Sequence, residues 1–355
     1  MSNETLKPKI GILTYHDGFN FGAFLQVYAL QRALEDLGLF SEVIDYKSWH
    51  HKYFEYRCLY YTRRPTLFFA HYNKMRAFFK AQKKLKLSRH VSSAKGFDGL
   101  RYDAVVFGSD EIWNYSNPIV KLDPVYFGFG VACKQRISYA VSCGSLPRDI
   151  VVPELVANGW QNFDAISVRD ENSQAIVRRY VSSPVQIVWD PTFLVDFSKE
   201  EVKCPKRDFI LVYTTGFSAD MQHAVRGYAD RTGKRLISLG YRNAFCDENI
   251  LGIGPFEFLG WYRAASVVIT SMFHGTIFGI KYNKPLAIVS DPYRTNKLAT
   301  MLDLLALRDH ITNADGLEET LVRPIAYDQV NKRIQEGVAD SLNYLRQNLL
   351  GVVVD

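Results

Sequence analysis

Long apolar runs are missing from this chain. No stretch of about 18 apolar residues occurs, so no helix is expected to span a membrane. The opening MSNETLKPKIGILTY has no basic segment leading into a signal-like apolar stretch, and no secretory signal is read there. Cysteine is sparse and unpatterned. Cys58, Cys133, Cys143, Cys204 and Cys246 are scattered, with no CxxC pair, and an odd unpatterned count fits reduced thiols better than a disulfide framework. The compartment expected is therefore the cytoplasm. No cluster of His, Asp or Glu has metal-ligand spacing, so no metal is expected. A GxGxxG fingerprint and a P-loop are both absent, which leaves a nicotinamide or ATP reading with little support. Short-period repeats and low-complexity linkers are lacking too.

What is present is an ordinary globular composition, with 47% apolar and 23% charged residues in 355. That length suggests two domains, since single cores rarely grow beyond about 250–300 residues. The aromatic share of 14% is high, and its 21 Tyr and 23 Phe run along the whole chain. The net charge of +6 is unevenly spread. Between Lys47 and His90 twelve Lys or Arg face one acid, Glu55, giving 12 − 1 = +11 and leaving −5 for the rest. Aromatics are interleaved with these cations. The stretch reads either as one or two amphipathic helices with a solvated basic face or as a surface that attracts anionic lipid or a phosphorylated acceptor. No base-reading motif accompanies the charge, so nucleic acid is not an expected partner.

Hydrophobic patterning alternates between strand and helix. KIGILTY (Lys9–Tyr15) reads as a buried strand, followed by a glycine-bearing loop, a helix from Phe24 to Gly38, and a second strand at Ser41–Tyr46. After the basic segment the alternation resumes with YDAVVFGSDEIWN, RISYAVSCG, FDAISVRDENSQAIVRRY and VQIVWDPTFLV. A second alternation starts at RDFILVYTTG (Arg207–Gly216), passes through RLISLGY and SVVIT to PLAIV, and ends in a long helix over 327–350. The expected fold is α/β, with two Rossmann-like domains facing across a cleft. The boundaries expected are residues 1–192 with a basic helical insertion over about 47–95, residues 206–325, and a C-terminal helix over 326–355 that could pack back on the first domain.

Polar residues gather after the strands, where such sheets bind ligands. His16, Asp17, Asn20 and Gly22 follow the first strand; Gly108, Ser109, Asp110, Trp113 and Asn114 follow AVVF; Arg169, Asp170 and Ser173 follow ISV; Ser271, His274 and Gly275 follow VVIT. Ser271 and Asp170 could each be ordinary helix N-caps. At His274 a strand ends and an apolar helix begins, so unpaired N–H groups and the helix dipole favour an anion there. A histidine beside them can donate to that anion or shuttle a proton, and Gly275 would allow close approach. The alternative is a buried histidine that caps the turn.

Five stretches carry a resemblance: GILTYHDGFNFGAFLQVYALQ, DAVVFGSDEIWN, ISVRDENS, VWDPTFLV and VVITSMFHGTIFGIKYNKP. In order and spacing they resemble the polysaccharide pyruvyltransferase family, whose architecture is similar to GT-B glycosyltransferases. The resemblance implies transfer of pyruvate from phosphoenolpyruvate, as donor substrate and without a cofactor, to a sugar of a cell-surface glycan, with a ketal formed and phosphate released. It implies that His274 contacts the donor as candidate acid, with Ser271, Met272, Phe273 and Gly275 around it, and that Arg169 holds phosphate or carboxylate. Asp110 is the candidate base or acceptor-hydroxyl ligand. Asn20, Gly22, Gln26, Gly108, Ser109 and Trp113 would line the acceptor side. Well-studied members carry an arginine two residues before this histidine, where this chain has Met272; Arg294 or Arg242 would have to supply the charge. The glycan acceptor could be carried on a lipid diphosphate, which would bring the protein to the inner membrane face through residues 47–90. Two other readings stay open: a GT-B glycosyltransferase using a nucleotide sugar, and a non-catalytic glycan-assembly protein that kept the fold.

Overall fold

The computed structural model describes residues 8–60, 65–118, 121–289 and 292–350. In chain order the first run of elements is β1 (Lys9–Leu13), α1 (Phe21–Asp36), β2 (Phe40–Val43), α2 (Trp49–Tyr60), α3 (Pro65–Gln82), β3 (Tyr102–Asp110), β4 (Cys133–Val141), α4 (Glu154–Gln161), β5 (Ile166–Val168), α5 (Glu171–Val177) and β6 (Val185–Ile187). The second run is β7 (Phe209–Tyr213), α6 (Ala219–Thr232), β8 (Arg235–Leu239), β9 (Glu248–Ile250), α7 (Pro255–Ala264), β10 (Val267–Thr270), α8 (Phe273–Lys281), β11 (Leu286–Val289), α9 (Pro292–Leu305), β12 (Ile311–Thr312), α10 (Leu317–Val322) and α11 (Tyr327–Leu349).

Two compact units result. The first holds residues 1–58, 82–195 and 335–355; the second holds 59–81 and 196–334. Each unit is therefore discontinuous in sequence. The basic segment divides between them, with α2 grouped mainly in the first and α3 in the second, and the end of α11 groups with the first. There Tyr344 on α11 donates its hydroxyl to the Ser138 carbonyl at 2.9 Å, and Ser341 Oγ accepts from the Trp189 N–H at 2.9 Å.

The first unit is built on a six-stranded sheet in the order β2-β1-β3-β4-β5-β6, and every pairing is parallel. Its strands are near-continuous apolar runs because helices cover both faces. Ile10, Ile12, Leu13, Ala104, Val105, Val106 and Phe107 are all fully buried. A second parallel sheet, β12-β11-β10-β7-β8-β9, forms the other unit.

Strand order fixes where each sheet can bind a ligand. In the first sheet the chain passes from β1 to β2 on one side, then returns to the other side of β1 for β3. In the second, β7 runs outward to β8 and β9, then the chain returns to the other side for β10. Connecting loops diverge at each such reversal and leave a crevice beyond the carboxyl ends of the strands. Leu13 pairs with Phe107 at the first reversal, and Tyr213 with Thr270 at the second.

Candidate functional site

At the reversal of the first sheet, the loop after β1 is tied to the end of β3. Thr14 Oγ1 donates to the Ser109 carbonyl at 2.8 Å, and Gln26 Oε1 accepts from the Ser109 N–H at 3.2 Å. The Gln26 amide then donates to the carbonyls of Tyr15 (3.2 Å) and Ala23 (3.0 Å). Gln26 is fully buried, so it braces the loop from behind. Gly108 is required here: its φ is 138°, and a Cβ would lie 2.0 Å from the Tyr139 carbonyl oxygen. The Gly108–Ser109 peptide is cis, and Asp110 follows at φ 72°.

A cavity of about 160 Å³ opens at this point, lined by Tyr15, Asn20, Ala23, Glu55, Asp110, Glu111, Ile112 and Asn117. Its polar lining is three carboxylates, two carboxamides and a phenol. Asn20 also caps α1, accepting from the N–H groups of Gly22 and Ala23. Burial, with the nearby charges of Glu55 and Asp110 among the further causes, holds the Tyr15 hydroxyl protonated well above its usual range. His51 stacks on the Tyr15 ring at 4.0 Å, and burial pushes its pKa down to about 4. A lining rich in acceptors with few donors suits a polyhydroxylated, uncharged molecule, whose hydroxyls donate to carboxylates.

Arg169 is brought to Asp110. Its guanidinium lies 3.6 Å from Asp110 and 3.2 Å from Asp190, almost wholly out of solvent. Burial opposes its charge, but the carboxylates of Asp110 and Asp190 outweigh that and raise its pKa further. Asp110 ends β3 at the rim of the cavity and Asp190 follows β6, so both acids lie at the carboxyl end of this sheet.

Other residues of the same loops are structural. Trp113, expected on the acceptor side, is fully buried; its indole donates to the Tyr126 carbonyl and packs on Trp160 and Phe163. Asp170 is the N-cap of α5 and accepts from the Ser173 N–H at 2.7 Å. His16 and Asp17 join an interior network instead of the cavity. His16 meets Asp45 at 2.9 Å, and Lys47 bridges Asp17 and Asp45 at 3.1 Å each. Gly22 is buried in the first turn of α1.

The second reversal has a different chemistry. Thr214, after β7, and Ser271, after β10, touch through their hydroxyls at 2.7 Å. Asn243 supports them by donating to the Thr214 carbonyl at 3.1 Å. Helix α8 starts immediately beyond, with Met272 at its N-cap and no side-chain cap bond. Its first turn and the positive end of its dipole thus lie at the end of β10, with no cap bond from the Met272 side chain. His274 sits in that first turn, buried, with its ring edge-on to Phe273 at 5.2 Å. Met272 and Phe273 are half-buried beside it. The strand behind accounts for Gly275, since a Cβ would lie 2.2 Å from Thr270 Oγ1 and 2.8 Å from Tyr213 Cδ1. Arg242 is exposed on the loop after β8, at the same end of this sheet. Arg294 belongs to α9, and its side chain lies outside the described residues. Among the described residues no group of three His, Cys, Asp or Glu is placed to hold a metal ion.

Sequence reasoning passed over Tyr15, Glu55, Glu111 and Asn117. One signal for Glu55 was available: it is the single acid in a stretch of twelve cations, and helix α2 carries it into the cavity wall.

Two parallel Rossmann-like units in one chain define a GT-B-like α/β fold, and solved structures agree. The chain is similar to the Methanocaldococcus jannaschii UDP-GlcNAc 2-epimerase in complex with UDP-GlcNAc and UDP, at 11% identity over 94% of this chain and 100% of that chain, TM-score 0.53. It is similar to Arabidopsis thaliana UGT89C1 complexed with UDP-L-rhamnose, at 11% identity over 97% and 100%, TM-score 0.52. The Neisseria meningitidis UDP-GlcNAc 2-epimerase bound to UDP-GlcNAc is similar at 10% identity over 96% and 99%, TM-score 0.52. At such identities the likeness speaks for the fold alone. No curated protein matches the chain.

The family follows from a separate comparison. The model of the family "Polysaccharide pyruvyl transferase" matches residues 20–291, well over half of the 355. The chain belongs to the polysaccharide pyruvyl transferase family.

Proposed function

We propose that this protein moves pyruvate from phosphoenolpyruvate onto two hydroxyls of one sugar in a cell-surface polysaccharide or its lipid-linked precursor. The methylene carbon of the donor takes a proton, which makes the neighbouring carbon cation-like. Two sugar oxygens bond to that carbon while its bond to the phosphate oxygen breaks. Of the two hydroxyl protons released, one balances the proton taken by the methylene and the other leaves with phosphate.

The observation that carries this reading is the start of α8. A helix terminus without a side-chain cap, a hydroxyl pair from Thr214 and Ser271, and His274 in the first turn suit a donor bearing phosphate and carboxylate. In this scheme His274 delivers the proton to the methylene carbon, and Ser271, Met272 and Phe273 border the donor. Met272 brings no charge where well-studied relatives have arginine; Arg242, on the loop after β8, is the candidate replacement. The cavity of the first unit receives the acceptor, with Asn20, Glu55 and Glu111 holding its hydroxyls. Asp110 acts as base, and Arg169 serves the reaction by fixing Asp110.

The test is incubation of the protein with phosphoenolpyruvate and a panel of free and lipid-diphosphate-linked sugars, followed by phosphate assay and mass spectrometry. A product heavier by one pyruvate ketal, with phosphate released in equal amount, supports the reading. Tight binding of a nucleoside diphosphate with no phosphoenolpyruvate binding would replace it with nucleotide-sugar chemistry.

A further inference from the structure

We propose that the outer face of α3 is a docking surface for an anionic lipid membrane. Among the described residues seven large aromatic side chains are exposed: Phe40, Trp49, Tyr53, Phe68, Phe69, Tyr72 and Phe79. Four of them, Phe68, Phe69, Tyr72 and Phe79, lie on α3 together with Lys74, Arg76 and Lys80. Isolated exposed aromatics need no explanation, but a contiguous group does.

Helix α3 divides cleanly into two faces. Its inner face packs in the second unit: Ala70, Asn73 and Ala77 lie against the turn at Gly252 and Gly254, and Phe78 and Ala81 are buried. Its outer face carries Phe68, Phe69, Tyr72, Arg76, Phe79 and Lys80. The steps from 68 to 72, 76 and 80 are each four residues, which sets these side chains in one row along the helix. Phe69 is 64% exposed and Phe68 42%, and their rings meet edge to face at 5.9 Å. Arg76 lies over the Tyr72 ring at 5.9 Å. The helix contains Lys74, Arg76 and Lys80 and no acid.

Aromatic rings flanked by cations, with no carboxylate on the helix, match the headgroup zone of an anionic bilayer. The rings enter the boundary between headgroups and acyl chains while the cations meet lipid phosphates. A protein partner would need only the apolar part of this face; the all-positive charge selects a negative surface. Helix α2, whose one acid Glu55 lines the cavity, carries a similar set of aromatics and cations among its exposed residues. Trp49 and Tyr53, at 78% and 60% exposure, lie four residues apart, with Arg57 exposed four further on and Lys52 over the Trp49 ring at 5.4 Å. Among the described residues no helix is long and apolar enough to cross a membrane, so the contact is with the surface. This inference does not depend on the reaction proposed above.

Co-sedimentation of the full chain with vesicles tests it. Equimolar phosphatidylcholine and phosphatidylglycerol should bind the protein, phosphatidylcholine alone should bind it at least about tenfold more weakly, and high salt should release it. Phe69→Ser with Tyr72→Ser, and separately Arg76→Glu with Lys80→Glu, should each lower binding about tenfold or more with unchanged circular dichroism, because all four side chains are exposed. Equal binding of both vesicle types, no binding to either, or undiminished binding by both variants would overturn the proposal. So would a concentration-dependent dimer in sedimentation velocity that Phe69→Ser abolishes, since that result would give the face to a second copy of the chain.

Discussion

Gln26 and Ser109 are joined across the reversal point of the first sheet, the Gln26 Oε1 accepting from the Ser109 N–H at 3.2 Å. One comes from the first turns of α1 and the other from the end of β3, so a single buried amide couples two of the segments that line the cavity of the first unit. Leu in place of Gln26 keeps the volume but leaves the Ser109 N–H and the Tyr15 carbonyl without this partner. Gln26→Leu should lower stability by about 1–3 kcal/mol in denaturant titrations. It should also weaken sugar binding, because Tyr15 and Asp110 lose their common brace.

Arg169 lies between Asp110 and Asp190, at 3.6 and 3.2 Å. A lysine there keeps the charge and loses the planar fork that spans two carboxylates. Arg169→Lys should cut kcat by about tenfold or more while the KM for phosphoenolpyruvate changes little, as expected of a residue acting through Asp110. A large rise in that KM with kcat preserved would instead make Arg169 a direct donor ligand.

Gly275 stands against Thr270 and Tyr213 with no room for a methyl group. Gly275→Ala should destabilise the protein by about 1–3 kcal/mol in thermal or chemical melts. A variant of unchanged stability would mean that the α8–β10 contact is looser than described.

Asp45 accepts from His16 at 2.9 Å and pairs with Lys47 at 3.1 Å. Burial alone would raise its carboxyl, but the hydrogen bond and charge of His16, and then Lys47, outweigh it and hold the pKa below the usual carboxylate range. A carboxyl depressed in the folded state stabilises fully above its unfolded pKa of about 3.9 and loses that contribution as pH falls toward the folded value. Asp45→Asn should cost about 1.5–3 kcal/mol at neutral pH, the range for hydrogen bonds to a charged group. It should also flatten the decline in stability below about pH 4 that the unchanged protein shows in urea melts at graded pH.

The strands were legible because parallel sheets bury both faces: ILVY-type runs such as FILVY, VVIT and LAIV stand out against polar turns. Elements without that signature were not. Strand β9 (Glu248–Ile250) is only half-buried along its three residues, and β12 (Ile311–Thr312) has two. The grouping of α3 with the second unit and of the end of α11 with the first depends on contacts between residues far apart in sequence, which local patterning does not carry. At the site, strand ends pointed to His274, Asp110 and Arg169. The same loops also drew in Trp113, a core residue whose apolar contacts are visible only in three dimensions. Glu55 was hidden because its helix looked like a basic surface, and only the fold turns that one acid inward.

His274 is where the account is most exposed. His274→Ala and His274→Gln should leave the melting transition nearly unchanged and lower kcat for pyruvyl transfer by about 10²–10⁴. The decisive measurement is mass spectrometry of the products formed from phosphoenolpyruvate and the sugar panel by the unaltered protein and by His274→Ala. The account predicts a sugar carrying a pyruvate ketal with the first and almost none with the second. Equal ketal yield from both proteins, or phosphoenolpyruvate neither bound nor consumed with any acceptor, would contradict it.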